Sequence, residues 1–229
     1  MTIFHDILKI WKSQDLLSEA WAESLEMLYF SEKVFNKSII YFKSGKNIES
    51  VKELKKKDQT INDFHKSVRR KIVTHFSMGE NSKNITSGLI LTEMVVDVER
   101  IGDYCKNISD LTILSSKKMN LKPHQSKIEK IENVILKRFS NTIEAIKDQN
   151  EDLAFKLVKK YNSKIASSSD NIVNEIITGK TKYPSSSDAA SAALYVRYLK
   201  RIGAHLKNIS TTIINPYDKI GYLDNTKLL

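Results

Sequence analysis

The chain has 229 residues, 41% of them hydrophobic and 28% charged, an ordinary globular balance with room for one large domain or two small ones. A single cysteine excludes an internal disulfide framework, and 7 Gly and 3 Pro leave too little turn material for many short strands. The net charge of +10 comes from lysines spread along the chain with only six arginines, which argues for a solvated lysine-rich surface, an acidic partner or an anionic membrane face before nucleic acid.

In chain order the pattern is helical throughout. Residues 2–12 form a short amphipathic stretch with Phe4, Ile7, Leu8 and Trp11 on one face, and charges inside the apolar pattern separate it from a signal peptide. No apolar run nears bilayer length, so the expectation is a soluble, cytoplasmic protein. Asp15–Lys43 is the first long helix, capped by Ser13 or Asp15 and ended by Ser44-Gly45, with Leu17, Trp21, Phe35, Ile39 and Phe42 on its stripe. Ile48–Phe76 is the second, and Asp58 sits on its seam where an apolar residue belongs, so it lies at a bundle edge or is paired. After a turn at Met78–Asn84 the third helix spans Ile85–Leu114, and Ser115–Pro123 is a linker. Helices follow over His124–Ile146, Glu151–Ile177 and, after a loop at Thr178–Asp188, Ala189–Ile214, stopped by Asn215-Pro216. The remaining tail is a short ordered segment that frays.

Within the third helix the stretch Glu99–Ser109, ERIGDYCKNIS, returns 101 residues later as Lys200–Ser210, KRIGAHLKNIS, identical at seven of eleven positions. An internal repeat outranks local propensity. Two copies of a three-helix plan predict an all-α fold of two tandem, similar three-helix bundles with six long helices, divided into residues 1–116 and 117–229. Leu91, Val95, Val98, Gly102 and Cys105 make one apolar seam. A glycine in a helix interior costs about 1 kcal/mol relative to alanine. That cost recurs at Gly203, which predicts that another helix comes very close at both places.

Glu99 and Asp103 line up at i and i+4 beside the seam, and Asp58 is a seam acid on a neighbouring helix. Carboxylates gathered in partial burial repel one another, and a hard cation held by oxygen ligands, Mg, Mn, Ca or iron, resolves that. The second copy has Lys200 and Ala204 in their place, so the pair is lost there. Arg69, Arg70 and Lys71 form a basic cluster with two readings, an exposed face or a docking patch for phosphate or acidic side chains. No phosphate loop, HExxH, CxxC or GxSxG signature is present, and Cys105 lies on the apolar seam, so the sequence reads as a non-enzyme.

At ERIGDYCKNI and its echo KRIGAHLKNI the sequence resembles the PhoU family of phosphate-uptake regulators, over essentially the whole chain. The resemblance implies two three-helix bundles side by side. It implies a cytoplasmic regulator that restrains phosphate uptake or the phosphate-starvation response by contact with a phosphate transporter component or its sensor kinase. It places the protein near the membrane only through that partner, with a homodimer among the assemblies it allows, and expects no nucleic acid. Some family members bind iron or zinc clusters through paired acidic motifs. Carried over, Glu99 and Asp103 match that motif, and Asp58 with Asn62 stands where the partner motif is expected, Asn62 replacing an acid. A divalent or iron-type metal is therefore expected in the first unit at most. The alternative functions are a metal-binding or metal-storing helical protein and a basic nucleic-acid-binding scaffold.

Overall fold

The computed structural model describes residues 15–45, 47–78, 84–115 and 120–222. The helix expected over residues 2–12 lies outside them, as do parts of the expected turn at 78–84, of the linker and of the tail. Among the described residues every regular element is helical. The helix α1 is Leu16–Ser44, α2 is Ile48–Ser77, α3 is Ile85–Leu114 and α4 is Gln125–Lys147. The fifth, α5, comprises Glu151–Tyr161, a π-helical turn at Asn162–Ala166 and Ser167–Ile177, and α6 is Ser186–Ile214. The boundary expected at 116/117 falls in the stretch between α3 and α4 that is not described.

Local chemistry sets the ends. The Asp15 carboxylate accepts from the backbone N–H groups of Leu17 and Ser18 at 3.1 and 2.9 Å, which caps α1, and Gly45 at φ 60° ends it in the left-handed region. Gln149, at φ 52°, closes α4 in the same conformation. Asn47 and Asn150 cap α2 and α5 through their side chains. The sixth helix starts at Ser186 rather than Ala189, because the Ser185 hydroxyl accepts from the Asp188 N–H at 3.1 Å and extends it by a turn. The tail is tied back by Asn215 Nδ2, which donates to the carbonyls of Lys219 and Tyr222.

Helices α1, α2 and α3 pack together as one bundle and α4, α5 and α6 as a second, and the two bundles meet where α3 lies against α6 and α1 against α4. Phe35 and Phe139, equivalent residues of the two units, face each other at 5.4 Å between ring centroids. Tyr104 and His205, equivalent in the repeated motif, stack at 5.8 Å. A residue that touches its own equivalent lies at an axis of two-fold symmetry, so the duplicated units are related by an approximate dyad through this seam.

The twin glycines take the same contact in each unit. A Cβ on Gly102 would stand 2.8 Å from Cδ1 of Ile61 in α2, and one on Gly203 would stand 3.0 Å from Cδ1 of Ile165 in α5. The close approach expected from the sequence is thus an isoleucine side chain seated in a glycine notch. Both isoleucines are fully buried. Three serines of α1, Ser24, Ser31 and Ser38, are buried as well, each donating to the carbonyl four residues back, so a row of small residues enters the core without an unpaired hydroxyl.

Gly102→Ala should gain helix propensity but lose packing, for a net loss of about 1 kcal/mol. Combined with Ile61→Val, which removes the obstructing Cδ1, it should prove more stable than the sum of the single changes by about 0.5 kcal/mol or more in a denaturant double-mutant cycle.

Candidate functional site

The acids singled out by the sequence lie on facing turns of α2 and α3. Asp58 is on the seam and its carboxylate is paired: Lys106 Nζ donates to Oδ2 at 3.0 Å, and Asn62 Nδ2 approaches the same oxygen at 3.4 Å. Glu99 and Asp103 share Arg100, at 3.7 and 3.5 Å. Burial lifts the Glu99 carboxyl above its ordinary range, the nearby Asp103 carboxylate adds to the rise, Asp58 adds less, and Arg100 and His205 oppose it. The structure therefore brings the three carboxylates within electrostatic reach of one another, with Lys106 and Arg100 set among them. Among the described residues no group of three His, Cys, Asp or Glu side chains converges on one cation position. The donor set suits a hard cation in kind, but in this arrangement Lys106 and Arg100 supply the positive charge that a metal would supply.

The second unit shows what became of the same place. Asn47 and Asn150 start α2 and α5, and counting from them sets Tyr161 opposite Asp58. Three positions on, Ile61 is matched not by residue 164 but by Ile165, so α5 carries one extra residue there. The π-helical turn at Asn162–Ala166 absorbs that residue. Lys207, the equivalent of Lys106, then stands 5.8 Å from the centroid of the Tyr161 ring. The ion pair of the first unit has become a cation–π contact. The two lysines titrate in opposite directions: Asp58 raises Lys106, whereas burial lowers Lys207, Asp97 opposes that, and Arg138 adds to it. Lys200, which replaces Glu99, is held at 2.6 Å by Asp170.

Arg138 was missed by the sequence reading. It is only 3% exposed, its guanidinium lies 5.8 Å from the Tyr161 ring centroid, and its Nε and Nη1 have no hydrogen-bond partner. Burial depresses it to about 10. Its place in the helix pattern, one residue before Phe139, corresponds to Val34 before Phe35, and that correspondence is the signal in the sequence that could have found it. Two cations, Arg138 and Lys207, thus flank Tyr161, whereas at the equivalent place of the first unit Lys106 meets the carboxylate of Asp58.

The seam between units carries the other polar contacts. Asp97 Oδ1 lies 2.7 Å from His205 Nδ1 and accepts from Asn208 Nδ2 at 3.2 Å. The repeat that maps Tyr104 onto His205 also maps Asp97 onto Tyr198, and Tyr104 meets Tyr198 at 5.9 Å. One arm of the dyad is therefore aromatic and the other is a histidine–carboxylate hydrogen bond. Arg201 Nε completes the contact by donating to the Tyr104 hydroxyl at 3.1 Å. The basic cluster divides: Lys71 is engaged by Glu19 and Glu23 at 3.1 and 3.2 Å, while Arg69 and Arg70 are exposed. Cys105 is buried, and burial pushes its thiol well above the ordinary range, so it offers no thiolate.

The model of the PhoU domain matches the chain twice, over residues 25–112 and 128–213. The PhoU crystal structure from Pseudomonas aeruginosa superposes with a TM-score of 0.78 at 19% identity, over 87% of this chain and 95% of that one. The phosphate transport system regulatory protein PhoU from Streptococcus pneumoniae gives 0.75 at 15% identity, over 86% and 93%. At these identities the likeness is one of fold. No curated protein sequence matches the chain.

The raised carboxyl of Glu99 has a sign that can be checked. Its folded form holds a proton more tightly than the unfolded chain does, so its contribution to stability is present in acid and is lost as pH rises through the folded value. Glu99→Gln should raise the denaturation midpoint at pH 7. The gap from wild type should close as the pH falls to about 4, near the ordinary glutamate value.

Proposed function

Because the chain belongs to the PhoU family, we propose that it is a non-enzymatic regulator of phosphate transport that acts by protein–protein contact. The observation that carries the reading is the duplicated glycine-notched motif, matched by the family model in both units and packed back to back across the seam. The partner is a phosphate transporter component or the sensor kinase of the phosphate-starvation response. No helix among the described residues is long and apolar enough to cross a membrane, which suits action in the cytoplasm and contact with the membrane through the partner. The one cysteine is an inert core residue, consistent with regulation by binding rather than by chemistry.

A second reading, cation binding in the first unit, draws on the raised Glu99 carboxyl beside Asp103 and Asp58. It requires Asp58 to leave Lys106, and no step of the proposed regulation is routed through a metal.

Cells lacking the chain should take up labelled phosphate faster in phosphate-rich medium, and the restored wild-type chain should return the rate to its starting value. An unchanged rate would remove the regulatory reading. The metal reading is settled by elemental mass spectrometry on protein prepared without chelator. Stoichiometric metal in the wild type, absent from Glu99→Gln/Asp103→Asn with helicity preserved, would support it. Trace metal in both would leave the acids neutralised by side chains such as Lys106 and Arg100.

A further inference from the structure

The outer side of the α1–α2 hairpin, away from α3, holds a groove of about 670 Å³. Its floor is apolar, with Phe30 and Val34 from α1 and Leu54 from α2. Along α1 the lining residues run from Phe30 to Tyr41, about three turns of helix. Ile40 and Ile48, both exposed, stand at the hairpin end and add apolar surface there.

The rim is charged unevenly. Lys33, Lys37 and Lys57 line it; Lys33 and Lys37 form no ion pair among the described residues, and Lys57 lies near enough to Glu53 to help Lys56, its hydrogen-bond donor, hold that carboxyl low. Its two acids are already committed: Glu49 lies 3.7 Å from Lys52, and Glu53 lies 2.5 Å from Lys56, on their own helix. The free charge of the groove is therefore positive. The second unit does not repeat this combination. There Val34 is replaced by Arg138, buried against Tyr161, and Lys37 by Asn141. Part of the lysine rim belongs to the duplicated plan, Lys137 and Lys160 standing where Lys33 and Lys57 stand, and what sets the first unit apart is the valine floor together with Lys37.

We propose that this groove is a docking surface for an amphipathic acidic helix of a partner protein. The apolar stripe of such a helix would cover Phe30 and Tyr41, which are partly buried, over a floor of Val34 and Leu54 that is already nearly closed, completing a four-helix arrangement with α1, α2 and α3. Its flanking carboxylates would meet Lys33, Lys37 and Lys57, which speeds encounter and fixes orientation. The biological meaning rests on regulation by contact as read above, but the binding itself is measured in vitro, so its failure leaves the phosphate-uptake result untouched.

The test is fluorescence anisotropy with the full chain and a labelled synthetic helix of about 18 residues, Leu on one stripe and Glu on the remaining face. A scrambled peptide of the same composition is the control. The wild type should bind the helix with micromolar affinity, weakening as salt rises. Lys33→Glu/Lys37→Glu/Lys57→Glu should bind at least tenfold more weakly. Ser50→Trp, which fills the groove without changing charge, should do the same. Lys130→Glu/Lys164→Glu, in a lysine-lined hollow of the second unit, should stay within twofold of wild type. No binding to the wild type, equal binding to the scrambled peptide, or undiminished binding by the groove variants would overturn the proposal.

Discussion

The packing of α3 against α6 is the constraint on which the rest depends. Each of these helices serves three neighbours at once, the other two helices of its own bundle and its counterpart across the seam. One face receives an isoleucine from its own bundle into the glycine notch, Ile61 at Gly102 and Ile165 at Gly203. The opposite face meets the other unit. A helix asked to bury most of its circumference cannot keep a strong polar side, and α3 has buried residues nearly all round, from Ser87 through Met94 and Ile101 to Thr112. The notch follows from this: with two sides already packed, the third neighbour comes close only where a side chain is missing.

Duplication gives two copies of a plan, and the second copy has changed the charge of one place while keeping its geometry. Lys106 and Lys207 occupy the same position and reach toward the same position of the neighbouring helix. Asp58 answers the first and Tyr161 the second. Loss of the carboxylate leaves Lys207 partly buried with less compensation, and the arrival of Arg138 beside the same ring deepens the deficit. Lys207 Nζ donates to the Gly221 carbonyl, but Arg138 Nε and Nη1 have no partner, and burying a cation without a hydrogen-bonded partner is unfavourable by several kcal/mol. The second unit therefore sits far from any cation site, whereas the first keeps its acids and neutralises them with Lys106 and Arg100. The inserted residue of α5 explains how the exchange was tolerated: the π turn takes up the extra length and returns Ile165 to the notch.

The fold was legible because periodicity and repetition speak to backbone and core. Helix ends came out within a few residues wherever a cap was visible, Asp15 and Gly45 being the plainest. The π turn was not legible, since one extra residue in a long apolar stripe leaves Tyr161 and Ile165 both looking like seam positions. The three acids picked out by the sequence lie within electrostatic reach of one another, and the carboxylate at Asp58 is paired, one of the two outcomes its seam position allowed. Spacing could not give Lys106 as the counter-charge of Asp58, because the two are 48 residues apart on different helices, whereas Arg100 stands next to Glu99 and three residues before Asp103 in the sequence itself. Asp97 and His205 were invisible for a related reason. They are 108 residues apart and belong to different units, so only the dyad brings them into contact.

That seam also decides how such a molecule could transmit a contact. Coupling between sites needs an element with two arrangements. The α3–α6 interface has the character of a core: Ile202, Leu206 and Ile209 are fully buried on one side, Ile101 and Ile108 on the other, and the polar groups Asp97, His205 and Asn208 are paired across it. Sliding the units would open voids and strip Asp97 of both partners, and a carboxylate left buried without partners is strongly unfavourable. The two bundles therefore behave as one body. Under the regulatory role proposed above, such a body would present the faces of its two units at a fixed spacing, and the change from Asp58 to Tyr161 makes those faces differ in charge.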